Sequence, residues 1–480
     1  MPHFCQNLLT ESDIERIDQA VMTILEQQGA WLQSEKVLTA LDAAGCEVDF
    51  QRELVRFPRQ YLDEIIDFNR SFARSEPDPT TGTEPYSVRV GGEVAQFLFD
   101  YEQFDKHPGT REDFIELCKW AYALNDGRQP VGPMLLIREV PSPIEPLEAL
   151  ALLYEHTGMP SVVYTLDAAQ LEYAREMWGI LTGQPDEVGR HSSTAISIIT
   201  PRRMDRRTGD YLAMRAERNY STVFLTQAIS GGTAPVTVAG AVVQAVADIL
   251  TGWAACHALN PEKELTGATL TGAMDMQTGN MSISCPESLL QDAAVCEVFR
   301  RLYGGGVQVA CSAEYTDARV PGVHATYEKA VKAILISEYT GTAPYMGAGL
   351  IENGMTYSPE QLLLNQEMGE FLRHYYHGIE VNDETIALDD ILEVGIGRQA
   401  SFVGTDHTLL HFREAWYPKY FDRSLWEGGA RELEKEQAIA DKAHARVQEI
   451  RRSYTPPEID EDKLLALRAV VDRAASDLLD

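Results

Sequence analysis

No two of the seven cysteines form a C-x-x-C pair, and Cys5, Cys46, Cys118, Cys256, Cys285, Cys296 and Cys311 are odd in number and widely spaced. That pattern supports neither a disulfide framework nor a zinc finger, and a reducing, cytoplasmic setting is the expectation. Positive charge is scarce: 41 Lys and Arg face 73 Asp and Glu, a net charge of −32. Such a surface repels phosphate backbones and anionic lipid, so neither nucleic acid nor a membrane is an expected partner. The first residues, MPHFCQNLLTESDIERID, lack a basic stretch leading into an apolar one, and no signal peptide is read there. No apolar run is read as reaching the ~20 residues of a membrane helix. The glycine fingerprint of dinucleotide folds, the phosphate-binding P-loop and the G-x-S-x-G elbow of serine hydrolases are missing as well.

What is present is an ordinary globular composition, 44% hydrophobic and 9% aromatic over 480 residues. That suffices for one large domain with extensions, or for two to three modules. A first helix is marked by Thr10, with Asp13 three residues on, then by Ile14, Ile17, Val21 and Ile24 at helical spacing, and by Gly29 as its stop. Helices are expected at 35–44 and 59–68, flanking an extended piece at 53–57. The stretch SEPDPTTGTEP, residues 75–85, is dense in breakers and reads as a linker.

Beyond the linker, eight short apolar runs alternate with amphipathic helical stretches: 95–99, 134–137, 161–166, 195–200, 222–226, 265–271, 307–311 and 344–350. Continuous apolar strands alternating with helices point to a parallel sheet buried on both faces. Eight such units predict an α/β fold of the (β/α)8 TIM-barrel type, with a doubly wound open sheet as the competing arrangement. The expected division is an N-terminal mainly helical module (1–85), the barrel (86–400) and a C-terminal helical extension (401–480). In the last stretch, Leu464, Leu467, Val471 and Leu478 share one helix face, which is expected to dock on the body or on another subunit; self-association is the expectation.

Barrel sites lie at the C-terminal ends of the strands. That rule nominates Tyr101, Tyr164, Thr165, Thr200, Thr226, Gln227, Asp275, Glu314, Tyr315, Tyr345 and Glu352; of these Tyr101, Tyr164, Gln227, Glu314, Tyr315, Tyr345 and Glu352, with Phe224, are the expected substrate-binding residues. His324 joins them, four residues before Glu328, as either a polar site pair or a helix-stabilising one. Aromatic rings and carboxylates suit a cation, each ring face contributing roughly 0.5–2 kcal/mol. An aromatic at a strand end is also ordinary core packing. The loop QAISGGTAPVTVAGA (227–241) opens a helix close to a strand end and offers either N–H groups for an anion or a plain tight turn. The glycines at 304–306 read as a tight turn into a strand. His374 with His377, and His407 with His411, have metal-pair spacing with acids nearby, although capping or packing also accounts for them; no metal is expected. No catalytic residue is singled out.

Several stretches together resemble the trimethylamine methyltransferase superfamily. They are ILEQQGAWLQSEKVLTALDAAGCEVDFQRELVRFP, GGTAPVTVAGAVVQ, TDARVPGVHATYEKA, MGAGLIENGMTYSPEQLLLNQEM, HGIEVNDETIALDDI and FVGTDHTLLHFREAWYP, in the family's order and along nearly the whole chain. The resemblance implies a TIM barrel and methyl transfer from an amine to the cobalt of a corrinoid (cobalamin) held by a separate protein. Archaeal members acting on trimethylamine carry pyrrolysine in a late barrel loop, in a region that would correspond to 312–328 here. This chain has only standard residues, so it is similar to the non-pyrrolysine branch, the glycine betaine methyltransferase-like members that act on quaternary amines. Two other readings stay open: a catalytically inert quaternary-amine-binding subunit, and a metal-dependent lyase or hydrolase on the same barrel.

Overall fold

The computed structural model describes residues 7–72, 85–192, 195–310, 313–341, 343–396 and 401–479. The expected linker at 75–85 lies outside them apart from Pro85, as do Cys5, Cys311 and Ser312.

The chain begins as its local signals dictate. Helix Glu11–Gln27 is opened by a reciprocal box in which Thr10 accepts from the Asp13 N–H at 3.2 Å and Asp13 accepts from the Thr10 N–H at 3.1 Å. Gly29 follows at φ +71°, where a Cβ would stand 1.8 Å from the Val55 carbonyl oxygen, so only glycine fits. Helices Glu35–Ala43 and Arg59–Ser71 flank the hairpin Glu47–Asp49 and Leu54–Arg56. Strand Ala30–Leu32 pairs with that hairpin on one side and, in parallel, with Arg203–Met204 on the other. Val21 and Leu25 enter the same core as Val242 and Trp253.

The body is mixed α/β. Strands Ala195–Ile198, Val223–Thr226, Thr266–Thr269 and Val307–Val309 lie side by side in chain order and all parallel. Helices Arg206–Glu217, Val238–Leu259, Pro286–Leu302 and Val323–Thr340 each follow one of them. The remaining expected runs pair more sparsely. Residues 134–137 and 161–166 contribute single parallel bridges, Ala95 with Leu135 and Val163 with Ser192. The first run settles at Phe97–Asp100, and the last gives only Leu350–Ile351. Pro133, Pro160 and Pro344 stand at the head of three of these runs and remove ladder donors there. Among the described residues the strands group into four separate sheets, and the ladder does not close into a ring.

One sequence expectation is corrected. Helix Val238–Leu259 is long and apolar enough, by length and composition, to cross a membrane. It is mostly buried inside the fold, packed on helices Glu11–Gln27, Glu35–Ala43 and Pro286–Leu302.

The two last helices dock on the body. Gly429–Ser453 buries Ile439, Ala443, Val447 and Ile450 beside Arg111–Leu124 and Pro359–His377. Glu461–Leu479 lays Leu467, Val470 and Val471 on Glu145–Thr157 and Ala168–Thr182. The apolar face seen in the sequence is therefore used within the chain. Between Arg373 and Lys419, by contrast, no described residue is buried.

Candidate active site at the strand ends

Several helices of the body send a buried charged side chain back to a strand end. Asp248, the one charged residue of its 22-residue helix, accepts hydrogen bonds from the Thr200 hydroxyl at 2.7 Å, the Thr226 hydroxyl at 2.9 Å, the Arg202 N–H at 2.8 Å and the Gln244 amide at 2.9 Å. Burial pushes its carboxyl up to about 6, against the pull of these four donors. Asp292 does the same one unit later, taking the Thr269 hydroxyl at 2.7 Å and the Thr271 N–H at 2.9 Å. Glu145 accepts from the Ile137 N–H at 3.0 Å, and burial raises it to about 7. Strand ends, in the continuous sheet and at the sparsely paired run 134–137 alike, are thus fixed by side chains from helices.

The densest polar cluster surrounds residues 313–318 and 343–357. Glu314 is fully buried and accepts from the N–H groups of Ala348 and Leu350, the second at 3.1 Å. Lys329, also fully buried, donates to the Leu350 carbonyl at 2.7 Å. The N–H and the carbonyl of one residue, Leu350, are therefore held by an acid and a base. Burial raises Glu314 and lowers Lys329, while each pulls the other back toward its charged form; nearby Glu93 adds to the rise of Glu314. Gly347 is at φ +94° with Glu314 against it, and a Cβ there would lie 2.8 Å from the Glu314 backbone.

Tyr315 extends from the same segment. Its ring lies over Gly354, where a Cβ would come within 2.0 Å of it, and its hydroxyl reaches Glu93 at 3.5 Å. The half-buried Tyr345 carries the guanidinium of exposed Arg89 over its ring at 4.1 Å. Glu352 takes Lys106 and the Thr356 hydroxyl, the latter at 2.7 Å; burial works upward on its pKa, but these partners hold it below the usual value. His324 pairs with Glu328 at 2.9 Å, and Glu328 in turn accepts from the Thr316 hydroxyl and the Asp317 N–H. The pair thus ties its helix to the segment carrying Glu314 and Tyr315.

Five nominated residues therefore converge: Glu314, Tyr315, His324, Tyr345 and Glu352. Tyr101 packs against Ala318 and Ile351 at the edge of this group, but its hydroxyl donates to Asp441 at 2.7 Å and its ring stacks on His444 at 4.5 Å. Tyr164 is half-buried next to the single bridge of Val163 with Ser192, and Gln227 is exposed just past the end of strand Val223–Thr226. Phe224 does not face a cage: it is fully buried against Gly252, where a Cβ would meet its ring at 2.2 Å. Asp275 closes its own turn with Gln277 and Thr278.

The loop 227–241 folds onto itself. Gly231 donates to Ala234, Gly232 to Ile229, and Ile229 to the Thr233 hydroxyl, so these N–H groups are spent on a tight turn. The glycines at 304–306, all at positive φ, make the expected turn; Gly304 is pressed against Arg70. His374 and His377 are exposed, and the His407 and His411 rings face each other at 4.4 Å, with His411 bonded to Glu414. Among the described residues, no group of three or more His, Cys, Asp or Glu has a metal-binding arrangement.

Glu93, Lys329, Asp248, Asp292 and Glu145 were not nominated from the sequence. Asp248 left a signal, a lone charge in an otherwise apolar helix. Glu93 precedes its strand, where a rule about C-terminal ends does not look.

Residues 3–478 match the family model described as trimethylamine methyltransferase. The glycine betaine methyltransferase of Desulfitobacterium hafniense (strain Y51) is 25% identical over 476 residues, 97% of this chain and 96% of that protein. A trimethylamine methyltransferase of Methanosarcina acetivorans is 25% identical over 485 residues, 98% of this chain and 95% of that one. The solved monomethylamine methyltransferase of Methanosarcina barkeri is 14% identical and covers 92% of this chain and 94% of its own, with a TM-score of 0.43.

Proposed function

The chain belongs to the trimethylamine methyltransferase family, and on that premise we propose that it takes a methyl group from a small quaternary amine, glycine betaine or a close relative, and passes it to the cobalt(I) of a separate corrinoid protein. Coverage carries this reading: the match runs from residue 3 to residue 478, and a glycine betaine methyltransferase aligns over 97% of the chain. Within it we retain the (β/α)8 barrel, the division into 1–85, 86–400 and 401–480, self-association and a cytoplasmic setting. The five free cysteines among the described residues suit a reducing compartment.

The chemistry asks little of the protein in acid–base terms. A quaternary nitrogen leaves as a neutral tertiary amine, so no proton need be delivered to it. Cobalt(I), carried by the partner, supplies the nucleophile. The chain's own task is to bind, orient and dry the cation. Tyr315 and Tyr345 offer ring faces, and Glu93 sets a carboxyl group beside the Tyr315 hydroxyl. Arg89, over the Tyr345 ring, is a guanidinium of the kind that pairs with a carboxylate, the other end of a betaine.

The test is methyl transfer from a panel of betaines to cobalt(I) corrinoid protein, run beside thermal shift with each betaine and its demethylated counterpart. We expect one betaine to raise the melting temperature, its tertiary amine not to, and the same betaine to donate its methyl group. Binding without transfer, with a competent corrinoid protein present, assigns an inert binding subunit instead. Activity that follows added metal and is lost on chelation assigns a lyase or hydrolase.

A further inference from the structure

The stretch from Gly378 to Ala415 inverts the usual rule of burial. It leaves the body after helix Pro359–His377 and returns where the N–H groups of Lys419 and Tyr420 donate to Glu367 at 3.1 and 2.8 Å. Within it run helices Asp383–Ile386, Leu388–Val394 and Asp406–His411 and two 3-10 turns, none with a buried residue. Its hydrogen bonds are local: Asn382 and Thr385 cap one another at 2.9 and 3.0 Å, and Thr405 caps the turn at Thr408. Yet Ile379, Val381, Ile396, Val403, Leu409 and Leu410 are each 69–91% exposed.

Ordering that much backbone is entropically unfavourable, and among the described residues no apolar side chain is buried here to offset it. The exposed area is also large. Full burial of one aliphatic side chain removes roughly 60–120 Å² from water at the usual coefficient. A dozen large apolar side chains between 379 and 412 are 44% exposed or more. Summed, they approach the roughly 800 Å² per partner of a standard stable interface. The exposed face of Phe371 and Tyr375 continues the surface at the arm's base.

We propose that residues 378–396 and 401–415 form an arm that a second copy of this chain covers permanently. A corrinoid protein that must arrive and leave at each turnover would uncover this surface between encounters; a second copy does not. Two copies, each with a net charge of −32, repel one another, so the contact is held by apolar burial and tightens as salt screens the repulsion. The choice of a second copy over a corrinoid protein rests on the proposed methyl transfer, whereas the need for a cover holds whatever the activity.

The experiment uses the full chain without substrate. Sedimentation equilibrium from nanomolar to micromolar concentration, at low and high salt, is combined with hydrogen exchange read by mass spectrometry. We expect self-association strengthened by salt, with arm amides that exchange slowly in the assembly. Val403→Asp and Leu410→Asp alter exposed residues and leave the subunit fold intact, which the unchanged exchange of helix Val238–Leu259 will report. Each is expected to weaken association about tenfold or more and to release the arm amides. A chain that stays monomeric overturns the proposal. So does an assembly that both variants form unchanged, because its interface then lies elsewhere. Arm protection that arises only on adding a corrinoid protein assigns the surface to that partner, and overturns it equally.

Discussion

The strand-end body and the arm handle the same side-chain types in opposite ways. In the body, Asp248, Glu314 and Lys329 are buried completely and each is held by hydrogen-bonding partners, while the apolar residues around them fill a continuous core. In the arm, acids such as Asp389 and Glu393 stand in water, as ordinary surface residues do, but Ile396, Val403 and Leu409 stand there with them. The body is a finished structure, in which buried charges give strand ends fixed positions. The arm has the secondary structure of a finished piece without its core. A core residue and an arm residue of the same type should therefore behave differently on truncation, and the difference should depend on protein concentration in one case only.

The largest effect is expected in the core. Leu250 is 1% exposed on helix Val238–Leu259. Leu250→Ala is expected to destabilise the chain by about 2–5 kcal/mol, the range for emptying a packed leucine site. Urea denaturation at two protein concentrations should give the same loss at both. A loss that vanished on dilution would mean that the body too is completed by a partner, and the contrast would collapse.

The buried acids sharpen the contrast through pH. Burial raises Glu145 from 4.5 to about 7 and Asp248 from 3.8 to about 6. A carboxyl with a raised folded-state pKa favours the folded state most while protonated, so its contribution is full below the unfolded value and is lost as pH rises through the folded one. Stability from these two groups should therefore fall between roughly pH 4 and pH 7 and level off above, by on the order of several kcal/mol. Comparing Glu145→Gln with the parent at pH 5 and pH 8 checks the sign: the variant should gain on the parent at the higher pH.

Much of the body was legible because its signals are local. Thr10 with Asp13 names a helix start within one turn, and the Leu467 and Val471 spacing names the face that docks. Four of the expected strands fall in one parallel sheet, and the four weaker ones are those whose pairing is sparse or shifted. The strand-end rule led to Glu314, Tyr315 and Tyr345, but Phe224 was named with them, since the rule cannot tell which side of a strand faces a helix. Lys329 was missed because a buried lysine is recognisable only through its partner, and Leu350 is 21 residues away. The apolar spacing of the arm shows a helix face without showing what covers it.

A smaller effect is expected at the strand ends. Tyr345 is half-buried and bears Arg89 on its ring. Under the proposed function, Tyr345→Ala should raise KM for the quaternary amine by roughly 2- to 30-fold, the equivalent of about 0.5–2 kcal/mol for one lost ring face, with little change in kcat. Tyr345→Phe should restore most of it. A drop in kcat with KM unchanged would place the ring in the transition state rather than in binding.

The smallest effect is expected where a leucine would ordinarily matter most. Leu410 is 71% exposed in the single chain. At concentrations low enough for the chain to be monomeric, Leu410→Ala should change stability by no more than about 0.5 kcal/mol, as surface substitutions generally do. At concentrations where a second copy covers the arm, the same substitution should lower the melting temperature, because binding to the folded form adds stability by mass action and the variant forfeits part of it. Parent and variant melting curves should thus coincide on dilution and separate as concentration rises. Curves separated by the same interval at every dilution would mean that Leu410 is already packed within its own chain, and the arm would then be an ordinary part of the body.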